Sequence, residues 1–381
     1  MLRMLLAWLL LLAPVVAQQS VPCRSCESKG TLECAKHGKL LAKENAVAFC
    51  SVVAECKTCS GALSVDCRSC RNAAAEGELE RRRKLAAEVL AARRKAVDEV
   101  TRNVPLMHLK CEHLDLCFSI KPHVIGKERL DTHALMHLYG ERIEALRADF
   151  VKLLELKPED LPGRLDVYMF RDQQDQSVIG PKVTGIGTSG STGVKLMGVE
   201  CVYSMWQDPR SMADDEALHR NMVHNLTHLL LSNMTPSHWI GNRKHGWVDE
   251  GLAHWFEDRV TGRCTNFCFE EVLVAPGTGY KNGKWRPAVR QLVDAGKVRS
   301  FAELSALNTD QLELPDHALV FAWVDYFLAR AGGAKFASVV RLLKEGVSTQ
   351  DALRQVMGVN MLTVDAEFAE WVKTNYSLLD R

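Results

Sequence analysis

Eight residues near the start of the chain constrain its folding more than anything that follows. CRSCESKGTLECAKHG runs from residue 23 to 38, and CKTCSGALSVDCRSC from 56 to 70. Each stretch carries two ligand pairs: Cys23 and Cys26 with Cys34 and His37, then Cys56 and Cys59 with Cys67 and Cys70. Seven residues separate the pairs in both stretches. A C-x-x-C turn aims two sulfurs at one point, and a tetrahedral zinc ion takes two such turns. The repeated spacing points to two structural zinc sites, stapling a segment too small for a core of its own. The pairing stays open: the sites are sequential, or nested with the first pair joined to the last. Thirteen cysteines in an exported chain also suit disulfides, so that alternative stands beside zinc.

The segment resembles the cysteine-rich zinc domain of DnaJ-type chaperones, with its tandem C-x-x-C pairs. His37 stands where a cysteine is usual, and the regular glycine spacing is kept only loosely. The resemblance implies zinc as the bound ion and covers only this segment.

MLRMLLAWLLLLAPVVA has one early arginine, an apolar run and a small-residue step at Val15-Val16-Ala17. It reads as a secretory signal peptide over residues 1–17. The run is shorter than the ~20 residues of a spanning helix, and no later stretch is long and apolar enough. The expectation is a secreted or periplasmic chain with no stable membrane span after cleavage. Basic and acidic residues balance, 48 against 47, so no net field draws the chain to nucleic acid. Residues 18–72 are then the zinc-binding module, 73–104 a charged helical linker, and 105–381 a body with room for a real core.

In the body, LKCEHLDLCFSI (109–120) alternates as a strand from Leu114 onward. Cys111 and Cys117 share its other face. Six residues of strand span about 20 Å, too far for a disulfide unless the chain turns between them. Residues 129–156 have helical spacing, and LDVYMF (165–170) is a second strand. GIGTSGSTG (185–193) lacks the G-K-[ST] ending of a phosphate loop, so it reads as a flexible hairpin or edge strand. Residues 211–233 form a central helix opened by a capping box of Ser211 and Asp214. On it, His224 and His228 of HNLTH point the same way. Alone, that pair reads as two core histidines.

The downstream sequence changes this weighting. HGWVDEGLAHWFED (245–258) begins a second helix. Two helical histidines followed by a W-x-x-E-G-L-A helix resemble gluzincin-type zinc peptidases of the peptidase-MA-like family. HALVFAWVDYFLARAGGAKFASVVRLLKEGVSTQDALRQVMG, then a helix ending in FAEWV, is similar to the tail of that family. The resemblance runs from about residue 105 to 378. It implies an α+β fold with a small sheet on the zinc helix and a helical C-terminal half. It implies zinc held by His224, His228 and Glu250 with a fourth position open to water. It also implies Asp249 orienting a ligand histidine and His317 stabilising the transition state.

The chain departs from the family at Asn225, where a glutamate serves as general base. Asparagine can hydrogen-bond a water but cannot accept its proton. General acid–base catalysis is worth roughly 10²- to 10⁴-fold, or about 3 to 5 kcal/mol of barrier. His254, one turn after Glu250, is the candidate substitute base. Three readings follow. The chain is a zinc-binding, peptidase-like body with little or no turnover, acting on a peptide or protein ligand; or an active peptidase with an unusual base; or an interaction protein working through its N-terminal module. The sequon Asn225-Leu226-Thr227 falls in a helix expected to be buried and reads as accidental. Cys264 and Cys268 suit a small disulfide if their loop turns, while Cys50 and Cys201 have no assignable partner.

Overall fold

The computed structural model describes residues 22–70, 72–101, 104–188, 190–268 and 280–379. The proposed signal peptide lies outside them. Within them the chain is α+β, with the cysteine-rich cluster at its N-terminal end.

The small module is built on two short strands, β1 (Thr31–Glu33) and β3 (Ser64–Asp66), which pair antiparallel with Thr31 opposite Asp66. Between them lie α1 (Leu41–Ala46), β2 (Phe49–Cys50) and α2 (Ser51–Ala54). β2 does not stay within the module. It pairs with β4 (Met107–Lys110), with Phe49 opposite Lys110, and so becomes the first strand of a six-stranded sheet.

That sheet continues through β5 (Leu114–Phe118), β8 (Leu165–Phe170), β10 (Cys201–Trp206) and β9 (Gly193–Leu196), in the order β2-β4-β5-β8-β10-β9. A separate hairpin, β6 (His123–Ile125) and β7 (Glu128–Leu130), follows β5. β5, β8 and β10 run parallel, so helices must return the chain between them. Those are α4 (Thr132–Leu154), between β5 and β8, and α5 (Gln173–Thr184), between β8 and β10. All six side chains of β10 are buried, as a central parallel strand requires.

Three expectations are corrected here. The single strand over 109–120 is a hairpin: β4 ends at Lys110, β5 starts at Leu114, and the two pair antiparallel. Cys111 N–H closes the turn on Leu114 O at 2.9 Å, and Glu144 receives the exposed His113 N–H at 2.7 Å. Cys111 then faces Gly140 of α4, while Cys117 faces His108 and Arg93 on the other side; both remain thiols. The central helix, α6, starts at Asp215 and ends at Asn233. Asp214 caps it alone by accepting from Ala217 N at 2.8 Å, so Ser211 takes no part. Of the glycine-rich stretch, the described residues 185–188 and 190–192 form neither helix nor strand, and the edge strand β9 begins only at Gly193.

The helix α3 (Ala73–Arg93) is more than a solvated spacer. Leu79 is buried, and Arg83 approaches Asp66 of the module. At the other end Arg93 pairs with Asp115 of the body's sheet at 2.7 Å. The helix spans module and body like a strut.

The remainder is helical: α7 (Gly246–Thr261), α8 (Trp285–Asp294), α9 (Leu314–Ala331), α10 (Gly333–Lys344), α11 (Thr349–Met357) and α12 (Val364–Asn375). α9 is apolar nearly all round and buried along most of its length, as a helix surrounded by others must be. Gly251 lets it approach α7 closely, since a Cβ there would sit 2.6 Å from Val320 O. Trp323 of α9 stacks on Phe368 of α12 with centroids 3.8 Å apart, fixing the last helix to the core. No helix among the described residues is long and apolar enough to cross a membrane.

Candidate metal centres

In the module the ligand pairs nest. Cys23, Cys26, Cys67 and Cys70 form one group, and Cys34, His37, Cys56 and Cys59 the other, each able to hold a metal ion. The β1–β3 pairing decides this, because it lays the first turn beside the last. All thirteen cysteines are thiols. The Cys23 and Cys67 sulfurs are 3.9 Å apart, and Cys59 Sγ lies 3.4 Å from His37 Nε2. Donors at about 2.0 to 2.3 Å from a tetrahedral ion sit roughly 3.4 to 3.8 Å from each other, so these spacings suit an ion between them.

The turns bring some of the thiols down, while burial pushes Cys59 up to about 12 and the hydrogen bond with Cys26 pushes Cys70 up to about 12. The Cys23 thiol is pulled down to about 6, first by the backbone N–H of Ser25 and then by Cys70. Burial pushes the Cys56 thiol up, but the N–H groups of Cys59 and Thr58 bring it down to about 6. Glu44 lies 2.6 Å from His37 Nδ1, which leaves Nε2 to face Cys59.

The body's centre is built on α6 and α7. His224 and His228 lie one turn apart with their Nε2 atoms 3.2 Å apart. Glu250 closes the group, its Oε1 3.3 Å from His228 Nε2 and its Oε2 3.8 Å from His224 Nε2. All three side chains are almost fully buried. The structure thus brings together the histidine pair and the glutamate that the two sequence strings named.

Each imidazole is held from behind by a carboxylate. Asp249 Oδ1 lies 3.1 Å from His228 Nδ1, and its other oxygen accepts from Trp239 Nε1 at 2.6 Å. Gly241 is required beside it, because a Cβ would stand 2.4 Å from that oxygen. Glu257 Oε2 lies 3.2 Å from His224 Nδ1 and equally far from His254 Nδ1. Its Oε1 accepts from Thr265 N, Asn266 N and Asn266 Nδ2. The Glu257 hydrogen bond fixes the tautomer that leaves His224 Nε2 free to bind a metal, while Asp249 sits beside His228 Nδ1 without an aligned bond.

A fourth donor stands in the group. Cys268 Sγ is 3.7 Å from His228 Nε2 and 3.8 Å from Glu250 Oε1, and His224, His228, Glu250 and Cys268 together could hold a metal ion. The small disulfide with Cys264 is absent: Cys264 Sγ instead lies 3.3 Å from His254 O. Lys195 Nζ donates to Cys268 Sγ at 3.1 Å. Burial pulls the Lys195 ammonium down, but the Cys268 and Glu250 charges more than offset this and raise it.

Charge counting favours a cation. Asp249, Glu250 and Glu257 are buried carboxylates, and the nearby Lys195 donates to Cys268 rather than to any of them. Their charge must be met by protons on the imidazoles or by a divalent ion. Burial pushes His224 down to about 4 and His317 down to about 3, which favours neutral rings. Glu250 Oε2 is buried and receives no aligned hydrogen bond among the described residues. The donor set of two nitrogens, a carboxylate and a sulfur fits zinc.

Asn225 Nδ2 donates back along α6 to Asn221 O at 2.9 Å. His254 and His317 pair beside Glu250, with His254 Nε2 3.4 Å from Glu250 Oε2 and 3.2 Å from His317 Nδ1.

No family model matches the chain, and no curated protein matches it.

Sequence reasoning missed Glu257, Cys268 and Lys195. Glu257 was findable: Glu250, His254 and Glu257 fall at i, i+4 and i+7, on one face of α7. Cys268 carries no such signal, because a loop after α7 delivers it.

Proposed function

We propose that the body is a gluzincin-like zinc centre, of the peptidase-MA-like kind, that holds its metal closed and turns over peptides weakly or not at all. The protein then acts by binding a peptide or protein ligand, as an exported chain whose module is a structural zinc knot. The single observation that carries this is Cys268 Sγ beside His228 Nε2 and Glu250 Oε1, where a hydrolytic centre keeps a position open. A zinc ion supplies Lewis acidity to a bound carbonyl or water only through an open position. Asn225 supports the same reading, being unable to take a proton and turned toward Asn221.

The alternative of an active peptidase rests on His254, buried against Glu250. Both its nitrogens are engaged, Nδ1 by Glu257 and Nε2 by Glu250 and His317. Burial disfavours charge on its ring, but Glu250 and Glu257 more than offset this and raise its pKa. The test is casein cleavage by the full chain as wild type, Asn225→Glu, Cys268→Ala and the double variant. The expected result is no cleavage by wild type and measurable cleavage by the double variant. Cleavage by wild type that His254→Ala abolishes would establish the active-enzyme reading instead.

A further inference from the structure

Cys50 had no assignable partner in the sequence, and the zinc motifs make no use of the histidines of α4. The fold brings them together. Glu44 of α1, Cys50 at the end of β2, and His133 and His137 of α4 each offer one donor atom, all within 4.8 Å of one another. We propose that these four residues form a further zinc site, which fastens the cysteine-rich module to the body.

The donors converge in a way that a hydrogen-bond relay does not. Cys50 Sγ lies 3.5 Å from His133 Nε2, and Glu44 Oε1 lies 3.1 Å from that same nitrogen. A relay of thiol, imidazole and carboxylate uses the two ring nitrogens separately, one for each neighbour. One nitrogen carries one proton, and Glu44 Oε1 receives no aligned hydrogen bond from it. Three donors aimed at a common point are what a tetrahedral ion requires, and the distances are close to the roughly 3.3 to 3.6 Å between a nitrogen and its fellow ligands around zinc.

Two buried side chains support an occupant independently. His137 is 2 % exposed, and its Nε2 accepts and donates no hydrogen bond among the described residues. Glu44 is 3 % exposed, and neither of its carboxylate oxygens receives an aligned hydrogen bond despite close neighbours. Buried polar groups in that condition call for an ion or other partner. A carboxylate and a thiolate carry two negative charges, which a divalent cation cancels within the site. One sulfur, two nitrogens and one oxygen make a donor set that suits zinc.

The placement gives the site its consequence. Glu44 and Cys50 belong to the module, while His133 and His137 lie one turn apart at the start of α4 in the body. Around them the two parts are also joined by the β2–β4 pair, the bond from His108 N–H to Ser51 Oγ at 2.9 Å, the Lys43–Glu141 pair at 2.9 Å, and the packing of Cys50 and Val53 into the body's core. Glu44 also touches His37 through its other oxygen, so one carboxylate stands between the inner module site and the junction.

The experiment is diffraction from crystals of the full wild-type chain, with data collected just above and just below the zinc absorption edge. A peak at the point faced by Cys50 Sγ, His133 Nε2 and Glu44 Oε1 is expected. No peak there, with peaks present at the module's two cysteine clusters, overturns the proposal. In solution, His133→Ala with His137→Ala is expected to lower zinc by one ion per chain, measured by mass spectrometry of the metal. A folded variant with the wild-type zinc count also overturns it. Should the variant fail to fold, the wild-type diffraction result decides alone.

Discussion

The two candidate metal-binding regions reach similar donor geometry by opposite means. In the module, β1 and β3 contribute three residues each, and little apolar surface is buried around them. Backbone N–H groups lower the Cys23 and Cys56 thiols, and the turns do almost nothing but hold sulfur. In the body, two long helices pack into a large core, and that packing places His224, His228 and Glu250 with their carboxylate supports. On the proposed reading, a metal would hold the fold in the first region, and the fold would hold a metal in the second. A sequence pattern is plain in the first because ligand spacing is the whole design. It is diluted in the second because the ligands are a small part of a core assembled for other reasons.

Chelation should separate the regions most sharply. Structural zinc contributes about 10 to 16 kcal/mol of apparent folding energy in small domains. In strong chelator the amides of β1 and β3 are expected to exchange with deuterium within the first time point, while those of α9 stay protected. A module that stays protected would break the comparison. Trp323→Ala tests the converse. It should cost the body about 3 to 5 kcal/mol by denaturant unfolding, with the module's zinc content unchanged. Metal lost from the module in that variant would mean that the two parts unfold as one.

Glu257→Gln sharpens the comparison at the level of a single ligand. It removes the charge behind His224, so the body's metal affinity should fall about 10- to 100-fold in competition with a chromophoric chelator, with the module's sites unaffected. The smallest expected effect concerns pH. Burial raises the Asp215 carboxyl, but Arg142, at 2.6 and 2.8 Å, and Tyr139 more than offset this and hold it below the ordinary range. Its contribution is therefore present above the usual aspartate value of about 3.9 and is lost as pH falls through the lower folded value. Wild type should lose stability below that pH more steeply than Asp215→Asn. Parallel curves for the two would remove Asp215 from the account of how α6 is held.

How much could be read in advance follows from range. The His224/His228 pair was visible because one helical turn sets its spacing, and the ligands of the module because their turns are local. Glu250 came from its string, and Glu257 could have come from the same face of α7. The nested pairing was not visible, since it depends on β1 meeting β3 across more than thirty residues. Nor was β2, a two-residue strand whose identity comes wholly from its partner β4. The hairpin at 111–113 was hidden by alternation that continues on both sides of it. Cys268 was misread as a disulfide half because loops carry no period to say where a side chain ends up.

The most direct test of the central claim is zinc per chain in the full-length protein, wild type against His224→Ala, with circular dichroism confirming equal helix content. The account predicts that the variant holds one zinc fewer while the cysteine clusters keep theirs. Equal zinc in the two folded proteins would contradict it and leave His224, His228 and Glu250 as a buried polar network without a metal.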